Sequence, residues 1–126
     1  MKNLANPLLT LLAVVLIGCQ SLYTGTVTLT KVVDSAAKEY AKLYNDGLVP
    51  ADTAAKVSSA FANYQKSAGV AHDALVAYKL GQTSDTRTAI EAARVAASAF
   101  IEALVPLLTR DRTTQLKAQV QKAGSV

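Results

Sequence analysis

The chain has 126 residues, one cysteine, one histidine and a formal net charge of +4. That length bounds it to one domain, and its lone cysteine and histidine exclude an intramolecular disulfide and a Cys/His zinc site. Half the residues are apolar, yet aromatics make up only 6% and tryptophan is absent, so the apolar content is largely Ala, Val and Leu, which favours helices with closely approaching backbones.

In chain order, Met1-Lys2-Asn3 supplies a short basic start, and Leu8 to Ile17 is an almost purely apolar run. Such a run has the length of a signal-peptide core and falls short of the roughly 20 residues that span a bilayer. It ends in Leu16-Ile17-Gly18-Cys19. These four residues resemble the lipobox of bacterial lipoproteins: an aliphatic residue, a tolerated second residue, a small residue and the cysteine. The resemblance implies transfer of diacylglycerol to the Cys19 thiol, cleavage between Gly18 and Cys19 by a type II signal peptidase, and acylation of the new amino group. By resemblance to lipoprotein sorting, Gln20 in place of Asp implies the periplasmic face of the outer membrane if the host is Gram-negative. The alternative is a buried apolar helix in which Cys19 merely fills space.

Residues 1–18 are thus expected to be a signal peptide and 19–26 a polar tether, seven of whose residues reach at most about 25 Å. Residues 27–109 are expected to form an all-α, antiparallel three-helix bundle. Apolar positions recur at steps of four and three in three runs. These are Leu29, Val33, Ala36, Tyr40 and Leu43; then Val57, Phe61, Tyr64, Ala68, Ala71, Leu75 and Tyr78; then Ile90, Ala93, Ala97, Phe100, Leu104 and Leu107. A seven-residue repeat of this kind is the seam of helices packing side by side. Gly47 suits the end of the first helix, Pro50 the first turn of the second, Gly81 the end of the second, and Ser84 or Asp85 the cap of the third. The pairs Asp34–Lys38, Asp52–Lys56 and Glu91–Arg94 have helical spacing. Pro106 should kink or end the third helix. Beyond it the thin stripe of Leu116, Val120 and Ala123 predicts a short fourth helix, frayed or loosely docked, within a tail at 110–126.

Charge is uneven. Between Cys19 and Thr109, Lys31, Lys38, Lys42, Lys56, Lys66, Lys79, Arg87 and Arg94 balance Asp34, Glu39, Asp46, Asp52, Asp73, Asp85, Glu91 and Glu102. The tail has Arg110, Arg112, Lys117 and Lys122 against Asp111. These four cations are candidates for contact with an anionic surface, such as lipid headgroups or cell-wall carboxylates; the bland alternative is a solvated tail. His72 beside Asp73 reads either as a proton-transfer group or as an exposed residue on a helix flank. Tyr40, Tyr64 and Tyr78 read either as a binding strip or as core, with hydroxyls at the rim; Tyr23 suits a membrane interface. The row Ala89, Ala93, Ala97 permits close helix approach. No phosphate loop, paired catalytic carboxylates, cofactor motif or metal-ligand cluster is present in the sequence, so neither an enzyme nor a cofactor is expected. Nucleic acid is a poor partner for helices without a basic stripe.

Beyond the lipobox, the mature region is similar in composition to small Ala-rich helical lipoproteins of bacteria, tailed phages and prophages. Murein lipoprotein also joins a lipid anchor to heptad helices, but ends in a lysine where this chain ends Ala123-Gly124-Ser125-Val126. Outer-membrane spanins of phage lysis are small lipoproteins too, though many are rich in proline. The resemblance implies a non-enzymatic envelope lipoprotein, anchored in the membrane by its N-terminal lipid. Its helical module would bind an envelope protein or cell-wall partner, or form a homo-oligomer, through an exposed Ala-rich face. The alternative is a phage lysis or exclusion lipoprotein acting by contact with another membrane protein.

Overall fold

A computed structural model describes the backbone of residues 2–81 and 85–124 and the side chains of residues 24–81 and 85–123. The described chain is all-helical: α1 (Lys2–Asn45), α2 (Ala51–Lys79), α3 (Thr86–Leu104), a 3₁₀ turn (Val105–Leu107) and α4 (Arg110–Gly124). Every residue of the three predicted seams that has a described side chain is buried or half-buried. The periodicity therefore set which face of each helix turns inward.

The contacts fix the direction of each helix. Tyr64 of α2 reaches Thr30 of α1, while Tyr40 and Tyr44 share a groove with Ala54 and Phe61, so α1 and α2 are antiparallel. Thr86, at the start of α3, donates to the Ala74 carbonyl near the end of α2. Phe100, near the end of α3, meets Phe61 near the start of α2. Lys117 pairs with Glu102 and Arg94 reaches Gln121, so α4 runs back along α3. Arg112 reaches Glu39 and Ser35 of α1. The result is an up-down-up-down bundle of four helices rather than the three expected.

The fourth helix is the main departure from the sequence expectation. Leu116 and Val120 are fully buried and Ala123 nearly so, each entering the same core as Val33, Phe100 and Leu104. Burying a Leu or Val side chain contributes about 1.5–3 kcal/mol, so these residues dock α4 firmly where a frayed tail was expected. Thr109 caps the helix, its Oγ1 accepting from the Arg112 N–H at 3.2 Å, and so α4 begins at Arg110.

The punctuation follows the expected chemistry with local differences. Gly47 takes φ +73°. Its N–H donates to the Tyr44 carbonyl and the Leu48 N–H donates to the Leu43 carbonyl, both at 3.0 Å, which is the Schellman arrangement. Gly81 also takes φ +73°. Pro50 sits one residue earlier than expected, at the N-cap of α2, and its carbonyl accepts from Ala54. Asp85 occupies the N-cap of α3 but makes no side-chain capping bond; Ser84 lies outside the described residues. Pro106 ends α3 as predicted, and the Val105 N–H takes up the Glu102 carbonyl that proline, lacking an N–H, leaves open.

The tether at 19–26 is also different: these residues lie inside α1. Gly25 is buried there and lines a groove with Ala123 of α4. Packing of this kind overrides the low helix propensity of Gly and Thr, a penalty of about 1 kcal/mol or less per residue.

Candidate functional site

Two grooves flank α1, of opposite character. The first lies between α1 and α2, with a volume of about 460 Å³. Its floor is made by small residues, Ala37 and Ala54 among them, with Val57 and Phe61. The small side chains leave space that larger ones would fill, and Tyr40 and Tyr44 stand over it. Their rings lie 6.0 Å apart and tilted by 41°, as aromatic pairs prefer. Phe61 is braced from behind by Phe100 at 5.3 Å. Among the described residues no charged one lines this groove, so it suits an apolar side chain, with the Tyr44 and Asn45 polar groups at its rim.

The second groove, about 650 Å³, lies between α1 and α4 and is lined by Thr24, Thr28, Lys31, Ser35, Arg112 and Lys122 among others. Hydroxyls and cations converge there, an arrangement suited to anionic groups. Arg112 is already engaged: its guanidinium pairs with Glu39 and also reaches Ser35 and Gln115.

The predicted basic residues do not form one patch. Arg110 is exposed at the start of α4, Arg112 bridges to α1, Lys117 pairs with Glu102 at 2.9 Å, and Lys122 lines the second groove. Twelve residues separate Arg110 from Lys122, about 18 Å along the helix. Charge alone groups these cations, whereas their partners, brought up by the fold from α1 and α3, separate them. Gly18 and Cys19 belong to α1, but the side chains of Cys19 and Tyr23 lie outside the described residues.

His72 and Asp73 are both highly exposed, with Nδ1 and Oδ1 3.8 Å apart, on the outer flank of α2. Tyr64 is buried and its Oη lies 3.5 Å from Thr30 Oγ1. Burial raises its pKa above the ordinary tyrosine value, partly opposed by the bond to Thr30. On α3, Arg94 grips Glu91 with two guanidinium nitrogens, which holds the Glu91 carboxyl below its usual range and raises Arg94. Of the row Ala89, Ala93, Ala97, the last two are buried and Ala89 is half-buried against the same core, so the row closes the core instead of offering an exposed face. Among the described residues no three His, Cys, Asp or Glu side chains converge as metal ligands. Nor is any helix among them long and apolar enough to cross a membrane.

Comparison of the chain with known protein families, with characterised proteins and with solved structures finds no match.

Proposed function

We propose that this chain is a non-enzymatic envelope lipoprotein, held in a membrane by acyl chains on Cys19, whose helical bundle serves as a binding module. The observation that carries this is the sequence Leu16-Ile17-Gly18-Cys19 at the end of the apolar run Leu8–Ile17. A small residue before the cysteine gives a peptidase access to the backbone, and the thiol is the nucleophile able to hold a thioether-linked lipid. One acyl chain binds a bilayer marginally, at about 0.8 kcal/mol per buried CH₂, whereas two or three hold firmly.

The bundle supports a binding role through the α1–α2 groove. Tyr40 lies 21 residues beyond Cys19 on α1, about 32 Å along the axis. An apolar, aromatic-rimmed surface at that end faces away from the membrane and is open to an envelope protein. Anionic contact is assigned to Lys31 and Lys122 in the α1–α4 groove, which sit closer to the anchor than Arg110. Lysis or exclusion functions would use the same apolar groove, and no feature of the bundle favours them.

The test is fractionation of producing cells expressing the wild-type chain and Cys19→Ser. The wild type should sediment with membranes and incorporate labelled palmitate; the variant should do neither. Equal membrane association of both, without label, would end this proposal. Tyr44→Ser, at an exposed position, should leave anchoring intact while reducing crosslinking to envelope proteins.

A further inference from the structure

We infer that the end of the α1–α4 groove nearer Cys19 holds the phosphate of an anionic phospholipid, taken from the membrane in which the chain is anchored. This names the ligand of the anionic contact assigned above to Lys31 and Lys122, and it rests on lipid attachment at Cys19.

Two polar stripes face each other across the groove. On α1, Thr24, Thr28, Lys31 and Ser35 follow at steps of four, three and four, which keeps them on one side of the helix. On α4, Arg112, Gln119 and Lys122 stand seven and three residues apart, again on one side. Between the stripes, Gly25, Val32 and Ala123 are buried and make the floor. Polar rims over an apolar floor suit an amphiphile: the headgroup meets the rims, while glycerol and the first methylenes lie on the floor.

Charge selects an anion. Among the described residues three cations and no carboxylate line the groove. Arg112 pairs with Glu39 at the end farther from Cys19, while Lys31 and Lys122 stand nearer to it. A phosphodiester has one negative charge and oxygens that accept from ammonium and hydroxyl groups alike. Thr28 is placed to donate. Thr30, which does not line the groove, donates to the Thr26 carbonyl one turn back; Thr28 makes no such bond among the described residues, so its Oγ1 is open to a ligand.

Position selects the source. Thr24 lies five residues beyond Cys19 and Thr28 nine, about 8 and 14 Å along the helix. Ala123 shares the floor with Gly25, which brings Lys122 to the level of Thr24 and Thr28. Acyl chains on Cys19 hold the start of this helix among headgroups, where long lysine stems let the charges reach lipid phosphates. A lipid beside the anchor is thus present at high effective concentration. One acylated residue lets the bundle swivel; a lipid clasped between α1 and α4 fixes its tilt.

The test is native mass spectrometry of the lipidated full chain, released from detergent micelles doped with phosphatidylglycerol or, in a parallel sample, with phosphatidylcholine. One phosphatidylglycerol per chain should be retained, at severalfold higher occupancy than phosphatidylcholine. Lys31→Gln with Lys122→Gln should lower that occupancy severalfold. Lys42→Gln with Lys66→Gln removes the same charge outside the groove and should change it little. All four lysines are exposed, so the bundle stays folded in each variant. An equal loss in the two double variants, or none in either, would overturn the groove site while leaving the anchor intact, since the mass of Cys19 is read in the same spectrum. Complete displacement of the lipid by millimolar inorganic phosphate would overturn the lipid as the source. An unmodified Cys19 would overturn the anchor, and the membrane lipid in the groove with it.

Discussion

Replacing Leu116 with Ala tests whether α4 belongs to the core. Leu116 is fully buried between Thr113 and Val120, on the side of α4 that joins the core shared by all four helices. Truncation removes apolar atoms and leaves a cavity, which in a well-packed interior costs about 2–5 kcal/mol. A domain of this size has about 5–15 kcal/mol in total, so the loss is a large share of the whole. It should lower the melting temperature by on the order of 15 °C. Urea unfolding followed by far-ultraviolet circular dichroism measures it: the midpoint should fall while the slope stays constant. Lys117→Ala, next to it in sequence but with its ammonium in a half-exposed pair to Glu102, should cost about 1 kcal/mol or less. Equal, small effects for the two would show that the C-terminal segment is a solvated tail.

The glycines give a signed comparison: Gly47 has positive φ and Gly69 does not, with open space around both. Gly47→Ala should therefore destabilise by about 1–2 kcal/mol and Gly69→Ala should stabilise by about 0.5–1 kcal/mol, both read from denaturation midpoints. Thr113 Oγ1 is buried with no hydrogen-bond partner among the described residues, so Thr113→Val should be neutral or stabilise by about 1 kcal/mol; a clear loss would reveal a partner. Because burial raises the Tyr64 pKa, its stabilising effect is complete below the ordinary tyrosine value and lost as pH rises through the raised one. In an alkaline absorbance titration Tyr64 should ionise last, and Tyr64→Phe should remove that phase. The Glu91 carboxyl is held down by Arg94, so its contribution is present above the ordinary glutamate value and lost as pH falls through the lowered one. Its NMR titration midpoint should return to the ordinary value in Arg94→Gln.

The helical seams were legible because burial is periodic: one face of each helix must leave water, and the steps of four and three record it. What the narrow seam missed is the width of that face. Val32 and Ile101 are buried beside Val33 and Phe100, and such apolar doublets are the signal that a helix touches more than one neighbour. In α4 the stripe looked thin because much of its surface is charged, yet three well-placed apolar residues suffice once Arg112 bridges to Glu39, 73 residues away. A bond across that separation leaves no trace in local spacing. The same applies to the grooves, which arise where small residues of two helices, such as Ala37 and Ala54, come opposite one another. Charge counting grouped the four tail cations, whereas partner geometry divides them.

The mass of the N-terminal peptide of the protein purified from membranes addresses the proposal most directly. Lipid attachment predicts a chain that begins at Cys19 and carries the added mass of a diacylglyceryl group on sulfur, with or without a further acyl group on nitrogen. An unmodified peptide that still begins at Met1, with a free thiol at Cys19, would contradict it.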